Sequence, residues 1–253
     1  MVYLCGACGA KESMFLLRCR ACGAWRTLRR LITTVPPVPL LEVSPEPEQR
    51  QRCNIASLDE FLGGGLVPGS VVLLAGPPGA GKSTIVLALL AAAARCALYA
   101  TGEESLREVR RRAERIGARL PGLLVTEETD VALLLLQARS AGVSLLAVDS
   151  LQTVRVGEGG AAPGSPTQMR SAVALLRAGA RECDFTLLLI GQVTKGGAMA
   201  GPRSVEHAVD VVLSVECEAG EGRMLRAVKN RFGSVDRVCR FALGDAGVMF
   251  DAR

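Results

Sequence analysis

A single histidine, His207, is all that 253 residues contain. With no second imidazole and no metal-ligand pattern around it, hydrolysis through a serine or cysteine nucleophile finds no support. Long apolar runs are also missing. None reaches the roughly 18 residues of a membrane-spanning helix, so no membrane partner is expected. No secretory leader opens the chain, because Met1-Val2-Tyr3-Leu4 runs straight into Cys5, and the expected location is cytoplasmic. A closed disulfide framework is absent too, since nine cysteines leave one over. Five of them, Cys53, Cys96, Cys183, Cys217 and Cys239, are scattered singly, mostly in apolar runs, which suits buried thiols in a reducing compartment. No internal repeat is evident.

What is present is unevenly placed. Residues 1–30 hold six cations (Lys11, Arg18, Arg20, Arg26, Arg29, Arg30) against one acid, Glu12, which equals the whole formal excess of +5. Such a cluster suits an anionic partner such as nucleic acid, or simply a soluble surface. The same segment carries Cys5, Cys8, Cys19 and Cys22 as CxxC-x10-CxxC. So short a segment cannot bury enough surface to fold alone, and four thiolates around one zinc ion remedy that. An iron–sulfur or redox role is the alternative. Four bound thiolates and one divalent metal together add about two negative charges, which tempers the pull on nucleic acid. Trp25, the only tryptophan, either covers the site or stacks on a base, with packing the preferred role.

Residues 31–52 form a linker; the stretch 33–50 holds five of the twelve prolines and no helical period. From residue 53 to 253, near-continuous apolar strands alternate with helical stretches: SVVLLAG (70–76) before a helix from Gly81 to about Ala94, CALYAT (96–101) before a helix over 105–117, then SLLAVDS (144–150) and FTLLLIG (185–191) flanking a helix over about 166–182. That alternation predicts an α/β domain with a mainly parallel central sheet covered on both faces. After Asp210 three strand-like runs with short connections predict an added sheet edge.

Gly76-Pro77-Pro78-Gly79-Ala80-Gly81-Lys82-Ser83 fits GxxxxGK[ST] between an apolar strand and a helix, the context a phosphate-binding loop requires. The glycines let backbone N–H groups turn toward phosphates, and the helix N-terminus adds partial positive charge. Lys82 is expected on the β- and γ-phosphates of ATP and Ser83 on Mg²⁺, with Thr84 beside it. Asp149, ending the strand of residues 145–148, is the expected second acid near the metal. Glu103 and Glu104 follow a strand at its carboxyl end, where ligands of such sheets lie. Glu103 is the preferred base for activating water; Glu104 fits better as the start of the next helix. Gln192, after FTLLLIG, is placed to sense the γ-phosphate and pass the change into loop 193–204, which carries Lys195 and Arg203. Loop 155–168, glycine-rich and leading into Arg170, is similar. These three cations are candidate DNA contacts, with a plain surface loop as the alternative. The helix over 105–117 bears Arg107, Arg110, Arg111, Arg112 and Arg115, read chiefly as a solvated face rather than a nucleic-acid patch.

Taken together these segments resemble the bacterial RadA (Sms) DNA-repair family, relatives of the RecA recombinase. The resemblance runs over nearly the whole chain: the four-cysteine module ending CGAW (22–25), LGGGLVPGS (62–70), the phosphate loop, TGEES (101–105), VDSLQT (148–153), APGSPTQMR (162–170), GQVTK (191–195), AGPRSVEHAVD (200–210) and KNRFG (229–233). It implies a RecA-like, DNA-dependent ATPase that forms hexameric rings on single-stranded or branched DNA, drives branch migration in recombinational repair, and works beside a recombinase or replicative helicase. It also implies that Lys229 and Arg231 of KNRFG project toward the γ-phosphate bound in the next subunit. Residues two apart on a strand share a face, so one strand can aim both, while Phe232 points into the core. Gln192 stands where many members have histidine. The sequence ends at Arg253, short of the domain resembling that of Lon protease that typical members carry, so a chain lacking that domain is expected. The alternative reading is a nucleotide-gated DNA- or protein-binding regulatory module without motor activity, closer in use to KaiC-like relatives.

Overall fold

The computed structural model describes residues 3–12, 16–30, 37–43, 49–93, 95–118, 121–157, 161–192, 203–217, 222–245 and 247–251. Two compact units result, residues 1–47 and 48–253. In the first, β1 (Tyr3–Cys5) pairs antiparallel with both β2 (Lys11–Glu12) and β3 (Leu28–Arg30). A small core of Cys5, Cys19 and Leu28 lies beneath.

The second unit holds one nine-stranded sheet. Its elements in chain order are α1 (Ala56–Phe61), β4 (Val71–Gly76), α2 (Lys82–Ala93), β5 (Ala97–Thr101), α3 (Leu106–Arg115), β6 (Leu123–Thr126), α4 (Val131–Ala141), β7 (Leu145–Asp149), α5 (Pro166–Cys183), β8 (Thr186–Gln192), α6 (Arg203–Ala208), β9 (Val211–Cys217), β10 (Arg223–Asn230), β11 (Val238–Gly244) and β12 (Gly247–Phe250). The spatial order is β12-β11-β10-β9-β4-β8-β7-β5-β6. From β9 to β6 every pairing is parallel; β10, β11 and β12 add an antiparallel edge. The parallel core and the antiparallel edge both match the expectation from the alternation of runs.

Side-chain alternation along β4 explains the two-faced core. Val72 and Leu74 join Leu58, Ile85 and Val109 of α1, α2 and α3 on one face. Val71 and Leu73 join Leu134, Val173 and Val205 of α4, α5 and α6 on the other. With apolar residues at every position, such a strand is stable only when covered on both sides. Helix ends are chemically marked. Ser105 and Glu108 form a capping box at the start of α3, and Asp130 accepts from Ala132 and Leu133 N–H at the start of α4. Among the described residues no helix is long and apolar enough to cross a membrane. Of the scattered cysteines, Cys53 and Cys239 are buried and Cys96 and Cys183 half-buried, but Cys217, the last residue of β9, is exposed.

Candidate functional site: a phosphate loop, two carboxylates and a thiolate cluster

The carboxyl ends of four adjacent strands bring the predicted site residues to one edge of the sheet. Gly76 ends β4 in register with Gln192 of β8, and Thr101 ends β5 in register with Asp149 of β7. Between β4 and α2 the loop Pro77–Gly81 reverses the chain. Gly81 needs to be glycine twice over: its φ is +94°, and a Cβ there would sit 2.4 Å from Leu243 of β11. Lys82 Nζ donates to the carbonyls of Gly76 (2.9 Å) and Pro77 (2.8 Å), holding the ammonium over the loop. Burial pulls its pKa down, while the carboxylates of Asp149 and Glu103 pull it back up. Ser83 and Thr84 are half-buried in the first turn of α2. This set fits a polyphosphate with its divalent cation: a glycine-turned loop at a helix start, a lysine held against it, hydroxyls at Ser83 and Thr84, and a buried carboxylate at Asp149.

Asp149 is buried, and its Oδ2 accepts from the hydroxyl of Tyr99 on β5. Burial first, and then the Asp149 carboxylate, push the Tyr99 pKa up, so Tyr99 stays a neutral donor. Sequence reasoning passed over Tyr99. The signal was available, because a phenol in a fully apolar strand needs a partner.

Glu103 is exposed, and its Oε1 accepts from Ser150 Oγ (2.6 Å) and from Gln192 Nε2 (3.2 Å). The candidate base and the candidate sensor therefore touch directly, with Ser150 as a third member that the sequence reading left without a role. Glu104 turns away. It pairs with Arg112 of α3, and its backbone N–H donates to Thr101 Oγ1 at 2.9 Å. Glu104 thus ties the loop to α3 rather than beginning that helix, whose cap is Ser105. Gly102 between them is required by contact, since a Cβ there would lie 2.0 Å from Thr153 Oγ1. We expect Glu103→Gln to keep nucleotide binding and lose turnover by on the order of 10²-fold or more, the contribution of a positioned base. Glu104→Gln loosens the loop and lowers stability instead. Turnover and nucleotide affinity of the two variants, measured side by side, check the assignment; loss of turnover in Glu104→Gln alone reverses it.

The remaining predicted residues lie apart from this edge. Lys229 is the penultimate residue of β10, beyond a bulge at Ala227/Lys229, and its Nζ donates to the carbonyls of Glu206 (2.9 Å), His207 (3.2 Å) and Val209 (2.6 Å). Arg231 lies in the turn that follows, with Nη1 3.1 Å from Asp210 Oδ1. Arg231 itself is past the strand's end, so the two cations do not share a strand face, and both bond to the segment 206–210 of their own chain. Phe232 packs half-buried against the core, and its carbonyl accepts from Arg50 Nη2 at 2.6 Å. Arg170 is exposed just past the first turn of α5, and within that turn Gln168 clamps the stem of loop 155–168 by accepting from the backbone N–H of Val156 at 3.0 Å. Lys195 and the rest of 193–202 lie outside the described residues, as does the Arg203 side chain. On α3, Arg107, Arg110, Arg111 and Arg115 are exposed, Arg110 pairing with Glu114 at 2.7 Å; this is a solvated face.

In the first unit the four cysteine Sγ atoms all lie within 4.8 Å of one another. Cys5–Cys22 and Cys8–Cys19 are 3.7 and 3.8 Å apart. A tetrahedron with Zn–S bonds of about 2.3 Å has edges of about 3.8 Å, so the cluster fits zinc. Each cysteine pair sits on the same turn. Cys5 N–H donates to Ala10 O and Gly9 N–H to Cys5 O; Cys19 and Gly23 repeat this with Ala24 and Cys19. The hexapeptides CGACGA and CRACGA (5–10 and 19–24) are thus a repeat of the turn itself, where no internal repeat was expected. The Thr27 hydroxyl at 3.1 Å lowers the Cys5 pKa to about 6, favouring the thiolate. Trp25 does not pack inward. It is 66% exposed, with the Arg18 guanidinium 5.8 Å from its ring centroid, because the three buried residues of so small a core leave no room for an indole.

Comparison with known proteins agrees with this geometry. Residues 36–198 match a family described as AAA domain. DNA repair protein RadA of Mycobacterium tuberculosis is 41% identical over 266 residues, covering 97% of this chain and 55% of that protein. DNA repair protein RadA of Pseudomonas aeruginosa is 40% identical, covering 98% and 58%, and that of Bacillus subtilis 36%, covering 97% and 58%. The chain spans little more than half the length of these relatives. With a phosphate loop, two carboxylates and a parallel sheet arranged as such a domain requires, the chain belongs to the AAA domain family, in its RecA-like form, and is a homologue of the RadA proteins.

Proposed function

We propose that this chain is the ATP-hydrolysing part of a DNA repair ATPase whose turnover depends on DNA and on assembly into a ring. In this reading Ser83 and Asp149 hold Mg²⁺, which neutralises charge on the β- and γ-phosphates when bound. Lys82 leaves its loop carbonyls for phosphate oxygens. Glu103 Oε1 takes a proton from the attacking water; the water oxygen bonds to the γ-phosphorus, and the bridging bond to the β-phosphate breaks to release ADP. Gln192, hydrogen-bonded to Glu103, links the γ-phosphate to loop 193–204. Lys229 and Arg231 act on the phosphate of the adjacent subunit in a homo-oligomeric, hexameric assembly. The reading extends to branch migration of recombination intermediates, to single-stranded or branched DNA held by Arg170, Lys195 and Arg203, and to a recombinase or helicase partner.

One observation carries the assembly. Asp210 N–H donates to Val71 O and Arg231 N–H to Asp210 O, so KNRFG lies at the amino end of β4, while the phosphate loop follows its carboxyl end. Five residue steps separate them, about 16 Å along the strand, which is farther than a lysine or arginine side chain reaches. These cations serve another chain's nucleotide or none. The test is the ATPase rate with and without single-stranded DNA at several protein concentrations. Specific activity should rise with concentration and with DNA. Arg170→Ala should weaken DNA binding and flatten its salt dependence by roughly one counterion. Hydrolysis indifferent to DNA at every concentration would favour a nucleotide-gated module instead.

A further inference from the structure

We propose that Asp210 is the positioning residue for Arg231 of KNRFG, presenting its guanidinium to the phosphate of a neighbouring subunit. The proposal rests on the trans reading above. Asp210 is 3% exposed and joins three elements. Its Oδ2 accepts from the Val71 N–H of β4 at 3.1 Å. Its Oδ1 accepts from Arg177 of α5 at 3.2 Å and from Arg231 at 3.1 Å. Its backbone is engaged as well, with Val71 O and Arg231 N–H. The residue before it, Val209, supplies the shortest of the three carbonyl contacts to Lys229 Nζ. Asp210 itself holds Arg231, through both its carboxylate and its backbone carbonyl.

The carboxylate can accept about four hydrogen bonds, and one of the three it receives comes from Arg231 in an exposed turn. Arg177 is 23% exposed at its side chain and Arg231 47%. The Arg231 fork can keep one arm on Asp210 and offer its other N–H groups to a second anion. Three cations, Arg177, Lys229 and Arg231, gather around Asp210, with Glu206 farther along the charge balance. Burial lowers the Lys229 pKa, Arg231 and Arg177 add to that, and Asp210 and Glu206 oppose it. The group holds more positive than negative charge and is completed by a further anion, as a polyphosphate provides. Fixing Arg231 before encounter removes the rotamer entropy that a free arginine loses at an interface.

The experiment uses Asp210→Asn in the full chain. The amide oxygen still accepts from Val71 N–H, but the charge that orders Arg231 is gone. Expected are a kcat lower by on the order of 10²-fold, the effect of a small misplacement, with ATP affinity within about threefold of wild type. Mixing Asp210→Asn with Lys82→Ala should restore activity, because the Lys82→Ala subunit lends its intact cations to the other's intact loop. A purely structural defect gives no such recovery. Arg231→Ala mixed with Lys82→Ala runs in parallel and tests the trans reading itself. If that control recovers while Asp210→Asn keeps kcat within about twofold of wild type, the proposal falls and the trans reading stands. If the control does not recover, the trans reading fails first. Should Asp210→Asn not fold by circular dichroism, Asp210→Glu, which keeps the charge and displaces it by one methylene, carries the same expectations. Failure of both to fold overturns the proposal in favour of a structural role.

Discussion

Mixing Arg231→Ala with Lys82→Ala should restore ATP hydrolysis that neither variant shows alone. On the trans reading, each variant lacks a different half of one composite site. Arg231→Ala keeps the loop, the ammonium of Lys82 and Glu103; Lys82→Ala keeps the cations at the opposite end of β4. The separation along β4 puts a chain's own cations out of reach of its own phosphate loop. In a closed ring of randomly mixed subunits, roughly a quarter of the interfaces pair an intact loop with intact cations, and activity should return to about that share of wild type. An arginine supplied in trans at a transferring phosphoryl group is worth on the order of 10³–10⁵ in rate, so the background from either variant is negligible beside the recovery. Nucleotide affinity in Arg231→Ala should stay within a few-fold of wild type, because charge at the transferring group matters most in the transition state. No recovery, in a mixture shown by crosslinking to contain both chains, removes the trans assignment and returns KNRFG to a structural part.

The other large effect concerns the thiolate cluster. Purified protein should carry about one zinc per chain, and Cys19→Ser should unfold the first unit. Among the described residues, Cys5, Cys19 and Leu28 form the buried core there, and two of these three are cluster members. Structural zinc contributes on the order of 10–16 kcal/mol to folding at neutral pH, far more than so small a core supplies. The unit of residues 48–253 has its own two-faced core and should keep its nucleotide affinity unchanged. Elemental analysis, proteolysis of residues 1–47 and nucleotide titration of the variant together check this. Freshly purified, unchelated protein without zinc, or a Cys19→Ser chain whose first unit resists proteolysis like wild type, would show that the metal does not hold the fold.

The legible parts of the structure were those with a strong local signature. β4, β7 and β8 are unbroken apolar runs, and the phosphate loop is bounded by a strand and a helix. The four-cysteine spacing names its metal geometry before any fold is known. Less legible were β6 and α4. β6 is four residues long and only half covered, and α4 reads VALLLLQARSA, too uniformly apolar to show a helical period. Its caps, Asp130 and Gly142 with φ +59°, were the available signal. The partners of Glu103 and Glu104 were illegible for a different reason. Two adjacent glutamates look alike in sequence, and only the positions of Ser150, Gln192 and Arg112 separate them. Asp210 was illegible because its partners come from α5, β4 and the turn after β10, all distant along the chain.

Leu243, packed against Gly81 from the end of β11, gives the antiparallel edge a second meaning. β10 starts level with the phosphate loop and ends at KNRFG, and β11 returns alongside it to place Leu243 on that loop. The β10–β11 ladder covers only Arg223–Arg226 and stops short of the bulge at Ala227/Lys229, so the part of the hairpin that shapes the phosphate loop is separated by that bulge from the part that holds Lys229 and Arg231.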